Sequence, residues 1–242
     1  MENKVNPLRK AAKVAGFMFL FYIAFSLISM TISNQATSGA DGVAAILASI
    51  AQHVSLVRLS ALFSLLTFFI AAVLAVALFV LTRSQNPYIA LLALCCRIAE
   101  GMIIAFSAVW TLGLLSLATA STMMAAPDSA TVHALGGVLL QQDSSSTLIS
   151  GTCFAVGSTL YSYLFLRARS IPVLLAWCGL FASMLLVVAL PLQLLGFLSE
   201  DVNIFIWLPM LVFEVTLALW LLFKGVAIPV APVSQRNDKT QL

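Results

Sequence analysis

Charge is what this sequence has least of. Asp, Glu, Lys and Arg together make up 9% of its 242 residues, where a soluble domain carries roughly 25%. Hydrophobic residues make up 62%, more than one core of this length can bury beneath a wettable surface. An ordinary soluble domain, a disordered chain and a disulfide-stapled secreted module are all excluded. Histidine is scarce as well: His53 and His133 are the only two, and both fall in connections between apolar runs. Spans without His cannot supply axial ligands to a haem or three convergent ligands to a catalytic zinc. A Ser–His dyad lacks its base, no Asp lies inside an apolar run to form an aspartyl dyad, and no Walker A loop is present. Cys95, Cys96, Cys153 and Cys178 form no CxxC pair and sit inside apolar runs, where they read as small buried apolar side chains. No basic stripe interleaved with aromatics speaks for nucleic acid. Neither a cofactor nor a metal site is expected, and catalysis is the less favoured reading.

What is present is a series of long apolar runs. A bilayer core takes about 20 apolar residues per helix, and only helices or closed barrels satisfy the backbone there. Strand-like alternation is missing, so the fold class is all-α. Six runs fit transmembrane helices: Val14–Ile32, Leu56–Leu81, Tyr88–Ala118, Ser146–Leu166, Ile171–Phe197 and Ile204–Phe223. The first is longer than the ~7–15 residues of a signal-peptide core, has no small-x-small cleavage site and reads as an uncleaved span.

The connections alternate in charge. Lys4, Arg9, Lys10 and Lys13 precede the first run, Arg83 follows the second, Arg167 and Arg169 follow the fourth, and Lys224 follows the sixth. The intervening connections carry Asp41, Asp128, Asp143, Glu200 and Asp201 with no Lys or Arg. Cytoplasmic loops are enriched in Lys and Arg, so both termini are expected in the cytoplasm. One transmembrane domain is expected over 1–226, with a disordered cytoplasmic tail over 227–242 marked by Pro229, Pro232 and a polar ending. In the first outer connection Val43, Ile46, Leu47, Ile50 and Val54 recur at helical spacing, predicting a short amphipathic helix on the outer interface. The stretch from Pro127 to Gln142 carries a weaker pattern, interrupted by Gly136-Gly137.

Ionisable residues inside the spans mark function or a specific partner, and their depth decides which qualify. Counted from Tyr88 at 1.5 Å per residue, Arg97 lies ~13 Å and Glu100 about 18 Å deep. Counted back from Lys224, Glu214 lies ~15 Å deep. Arg97 and Glu214 are therefore expected at matching depth and paired across helices, with Glu100 one turn along. Two readings stay open: an ion pair that sets helix neighbours, and a ligand or proton site. The third run is also long enough to slide outward, which would let Arg97 snorkel to the interface. Arg58 is expected ~36 Å from the inner surface, at a level within reach of Asp143, Gln193, Glu200 and His53, either as an interfacial arginine or as part of an outward vestibule. In span four, Ser146, Ser150, Ser158 and Ser162 recur at i+4 beside Gly151, Ala155 and Thr159, the mark of a central packing helix. Pro209, five residues outward from Glu214, frees the carbonyl of Phe205.

The segments RKAAKVAGFMFLFY, SLVRLS, CCRIAEGM, YLFLRARSIPVLLAWCGL and LPMLVFEVTLALWLLFKGV resemble the bacterial domain-of-unknown-function family numbered 4386, over nearly the whole chain. The Arg-x-x-Glu of span three and the Glu-to-WLL-KG ending are its most specific elements, and Arg58, Arg97, Glu100, Glu214 and Lys224 fall on the matching segments. Family members often carry a His near the start of span four. Here Asp143 is followed by three serines, so chemistry built on that His does not carry over. The resemblance implies a six-helix bacterial membrane protein, placed in the cytoplasmic membrane, and implies no activity.

Three functions remain. The favoured one is non-enzymatic binding or transport of a small molecule or lipid at a buried site of Arg97, Glu100 and Glu214. The second is an enzyme acting on lipid or a lipid-linked substrate at the outer leaflet, near Arg58, Asp143 and Gln193. The third is a purely structural polar cluster in a membrane scaffold or partner-binding protein. Membrane lipids are the expected partners, with a small-molecule ligand under the first reading.

Overall fold

The computed structural model describes residues 2–37, 41–123 and 129–227. The segment read as a disordered tail lies, but for its first residue, outside these, as do Pro127 and Asp128. Seven α-helices make up the described chain: α1 (Glu2–Thr37), α2 (Val43–Gln52), α3 (Val54–Thr82), α4 (Pro87–Met123), α5 (Ser129–Ala168), α6 (Val173–Leu194) and α7 (Asn203–Phe223). A single 3₁₀ turn, Glu200–Val202, precedes the last, and no strand occurs among the described residues. All but α2 are long and apolar enough to cross a membrane. The chain is an all-α, multi-pass membrane protein.

The six long helices close into a ring. Each packs on its neighbour in sequence, and α7 returns to pack on α1. Short connections favour the order from α3 to α7, because helices joined by a few residues become antiparallel neighbours. Asn86 caps α4, its side-chain oxygen accepting from the N–H groups of Tyr88 and Ile89 at 3.1 and 3.2 Å. At the end of α6, Gly196 (φ 78°) takes the left-handed conformation. The Phe197 and Gly196 N–H groups then bond the carbonyls of Leu192 and Gln193, a Schellman closure that ends the helix three residues before Phe197. At the other end Pro172 precedes α6, so Ile171 belongs to the turn. Leu74, Leu164, Leu186, Leu217 and Leu221 fill the ring's interior. Phe69, Phe106, Phe181 and Val188 face outward, as suits a hydrocarbon surround.

Two helices overshoot the bilayer. The 37 residues of α4 and the 40 of α5 span ~55 and ~60 Å at 1.5 Å per residue, against a core of ≈ 30 Å. Gly136-Gly137 does not interrupt α5. A Cβ on Gly136 would stand 2.9 Å from Val43 and 3.1 Å from Leu47, so this glycine lets α2 press against α5. The short helix anticipated after Asp41 is α2, ending at Gln52, with Val54 already in α3. It is docked on the bundle: Leu47 and Ile50 join Ala36, Val57, Leu114, Leu115 and Ala118 in a second apolar core. Ser49 Oγ donates to the Ala36 carbonyl at 2.7 Å and ties α2 to α1.

The cysteines differ from expectation. Cys95 and Cys178 are exposed on outward helix faces, Cys96 and Cys153 are half-buried, and all four are free thiols. A helix that is apolar all round gives no sign in its sequence of which face turns inward.

Candidate functional site

Among the described residues, the buried charged side chains form one cluster. Arg97 and Glu100 come from α4, Glu214 from α7, and they are 1%, 1% and 5% exposed. The Arg97 stem passes α5 at Gly157, where a Cβ would sit 3.1 Å from its Cγ. Its guanidinium then lies between two aromatic faces, 5.2 Å from the Tyr22 ring and 4.7 Å from the Phe154 ring, a cation–π clasp. Arg97 therefore points into the bundle and does not snorkel.

The ion pair is not the one anticipated. Arg97 NH1 lies 3.0 Å from Glu100 Oε2, along α4 itself, because residues three apart share a helix face. No ion pair joins Arg97 to Glu214, which meets the guanidinium across a cavity instead. Glu100 is held a second time, by the Tyr22 hydroxyl donating to Oε1 at 2.5 Å. The Ser150 hydroxyl approaches the Glu100 carbonyl at 3.5 Å.

Much hydrogen-bonding capacity is left over. The Arg97 N–H bonds are not aligned on Glu100, so Nε, NH1 and NH2 all lack a hydrogen-bond acceptor, and Glu100 Oε2 and Glu214 Oε1 both lack a donor. A buried guanidinium offers five donors, and leaving such groups unmatched costs several times what a made bond contributes. Arg97 and Glu214 line one cavity with Ser158, Tyr161 and Ser162 of α5, closed by apolar side chains of α1, α3, α5 and α7. It offers about 10 Å³, about the space one water needs. Tyr161 donates its hydroxyl to the Ala75 carbonyl at 3.1 Å, which ties this wall to α3.

Span four behaves as a packing helix. Its Ser150, Ser158 and Ser162 are buried, while Ser146 bonds back to the Gln142 carbonyl at 2.7 Å on the exposed side. Gly151 admits Leu190 and Trp207, where a Cβ would stand 3.0 and 3.3 Å from them. Pro209 lies inside α7, one residue before cavity-lining Met210.

No ion pair or hydrogen bond joins Arg58, Asp143 and Gln193 among the described residues. Arg58 is exposed and Asp143 half-exposed, and neither forms an ion pair among the described residues. Gln193 is 8% exposed, but its Nε2 donates to the Ser199 carbonyl and to Asn203 Oδ1 at 3.1 and 2.9 Å. It closes its own loop. His53 Nδ1 sits 2.9 Å from the Ser49 carbonyl at the end of α2.

Tyr22, Phe154 and Tyr161 escaped the sequence reading. Tyr22 lies nine residues past Lys13, ~13 Å at helical rise, the depth at which Arg97 was placed, so depth-matching of aromatic hydroxyls would have found it.

The family model described as a domain of unknown function (DUF4386) matches residues 14–225. The chain belongs to that family. No curated protein and no solved structure matches it.

Proposed function

We propose that this DUF4386 protein is a non-enzymatic membrane protein that binds a small polar molecule or a lipid headgroup at the Arg97–Glu100–Glu214 cluster. One observation carries the reading: Arg97 and Glu214 line a shared cavity, and the guanidinium nitrogens and Glu214 Oε1 make no hydrogen bond. A cluster that served only to join helices would be expected to satisfy its own groups, since a half-satisfied buried network is worse than an apolar core. A guanidinium presents a planar fork suited to carboxylate or phosphate oxygens, and Glu214 offers an acceptor beside it. Anything larger than a water requires the α1 and α7 walls, Phe19, Met210, Phe213 and Leu217, to move apart. Movement of that kind around a fixed polar site is what transport would use.

The same reading places both termini in the cytoplasm and the protein in a bacterial cytoplasmic membrane. Arg83, Arg167, Arg169 and Lys224 supply the supporting charge pattern. The Ala227 N–H also bonds the Ser170 carbonyl at 2.9 Å, which brings the end of α7 to the turn carrying Arg169.

The test is native mass spectrometry of the detergent-purified protein beside Glu214→Gln, with thermal melting of both. A small molecule or lipid retained only by the wild type, at similar melting, supports a binding site. No adduct in either, with the variant melting far lower, reduces the cluster to a structural one.

A further inference from the structure

The buried charges do not balance. The cluster holds one guanidinium and two carboxylates, and its cation lies against Glu100, 3.0 Å away. Glu100 also receives the Tyr22 hydroxyl. Glu214 has neither: it is 5% exposed, makes no ion pair, and its Oε1 has no donor. An isolated carboxylate in a low-dielectric interior is expensive enough that it acquires a proton or a cation. The room beside it admits one water and no hydrated ion.

We propose that Glu214 is a proton-binding site, its carboxyl linked through a single cavity water to the Arg97 guanidinium. In the ionised state Arg97 donates to the water oxygen and the water donates to Glu214. On taking up a proton Glu214 donates to the water instead, whose hydrogens turn to the Ser158 and Ser162 hydroxyls lining the same cavity. One proton is gained and no bond between heavy atoms changes. The pair Arg97–Glu100 stays fixed, so a single carboxyl switches.

The groups facing this site are Tyr22 on α1, Arg97 and Glu100 on α4, and Tyr161 on α5. Tyr161 is committed to the Ala75 carbonyl of α3. Cys96 and Cys153 lie half-buried behind the pair. From α3 the cavity receives Leu78, and the one titratable group of α6 is the outward Cys178. Glu214 is thus the buried carboxyl that, among the described residues, has neither an ion pair nor a phenol hydrogen bond.

This inference rests on the same cluster as the binding reading, so its test uses no ligand. Infrared difference spectra of the full chain in detergent micelles are recorded across a pH titration, for the wild type, Glu214→Gln and Glu214→Asp. The expected result is a protonated-carboxyl C=O band that titrates in the wild type, is lost in Glu214→Gln and moves in frequency in Glu214→Asp. Should Glu214→Gln fail to fold, the band shift in Glu214→Asp carries the assignment. A band that stays unmoved in the variants, or no titrating band in the wild type, overturns the proposal. So does a band that responds to sodium at fixed pH, because the occupant is then a metal cation. A ligand adduct without a titrating band would remove the proton site and leave the binding reading standing; a titrating band without an adduct would do the reverse.

Discussion

Glycine-to-alanine substitutions at three helical positions should separate sharply, because the structure gives the added methyl a different reception at each. Alanine gains roughly 0.5–1 kcal/mol over glycine inside a helix from backbone entropy alone. At Gly113 the new Cβ would meet only Leu139, at 3.7 Å, an ordinary contact, so Gly113→Ala should stabilise by most of that gain. At Gly157 the methyl would stand 3.1 Å from Arg97 Cγ and 3.3 Å from Cys96 Cβ. A slight shift of the arginine stem offsets the gain, and the net change should fall within about 1 kcal/mol of zero. At Gly179 it would collide with the Phe213 ring and lie 2.7 Å from Ser162 Oγ, where helices α5, α6 and α7 meet. The Phe213 ring is buried, so Gly179→Ala should cost about 1–3 kcal/mol of overpacking. Unfolding free energies from SDS titration in mixed micelles give the ranking. A second measurement isolates the cause: Phe213→Leu in the Gly179→Ala background should recover ~1 kcal/mol or more as a non-additive coupling. Equal losses at Gly113 and Gly179, or strict additivity with Phe213→Leu, would refute the packing argument.

Further outcomes follow from the polar cluster and one turn. Glu100→Gln should destabilise by about 3–5 kcal/mol because it leaves Arg97 a buried cation without its partner, whereas Glu214→Gln should stay within about 1 kcal/mol of wild type; SDS titration of both decides which carboxylate is the pair. Tyr22→Phe keeps the ring under the guanidinium but removes a hydrogen bond to a charged group, so a loss of about 1.5–3 kcal/mol is expected in the same assay. Arg169 sits at φ 50°, closing α5 with the Arg169 and Ser170 N–H groups bonded to the Leu166 and Phe165 carbonyls. A side chain there costs roughly 1 kcal/mol, so Arg169→Gly should melt no lower than wild type; a clear drop in melting temperature would show that the arginine makes a stabilising contact exceeding its strain.

The number and placement of the membrane helices were legible because composition alone forces them. Arg83, Arg167 and Lys224 punctuate apolar runs of bilayer length, and each run appears as a helix. Where the helices end was less legible. α4 and α5 continue far past the length a bilayer needs, and α2 provides an apolar surface on which Leu114, Leu115 and Ala118 of α4 are buried. Gly136-Gly137 looked like a break and is a point of close approach, because a missing Cβ reads the same in sequence whether it frees a backbone or admits a neighbour. The outward cysteines escaped for a related reason: Cys95 and Cys96 are adjacent in one apolar run, and hydrophobicity does not distinguish a lipid-facing side from a core-facing one.

For the polar cluster, the sequence by itself brought Arg97 and Glu214 to one level, where they line one cavity. A helix rises a fixed 1.5 Å per residue, so counting from Tyr88 in α4 and back from Lys224 after α7 was enough to match the two. Partner choice needed the tertiary structure. Which carboxylate meets the guanidinium depends on rotation of α4, on Gly157 letting the arginine stem pass, and on Tyr22 and Phe154 holding its plane. Those contacts turned Arg97 onto Glu100 of its own helix and left Glu214 across a water-sized gap. Rise along a helix is a local property of the backbone, whereas the direction a buried charge faces is settled by every helix that packs around it.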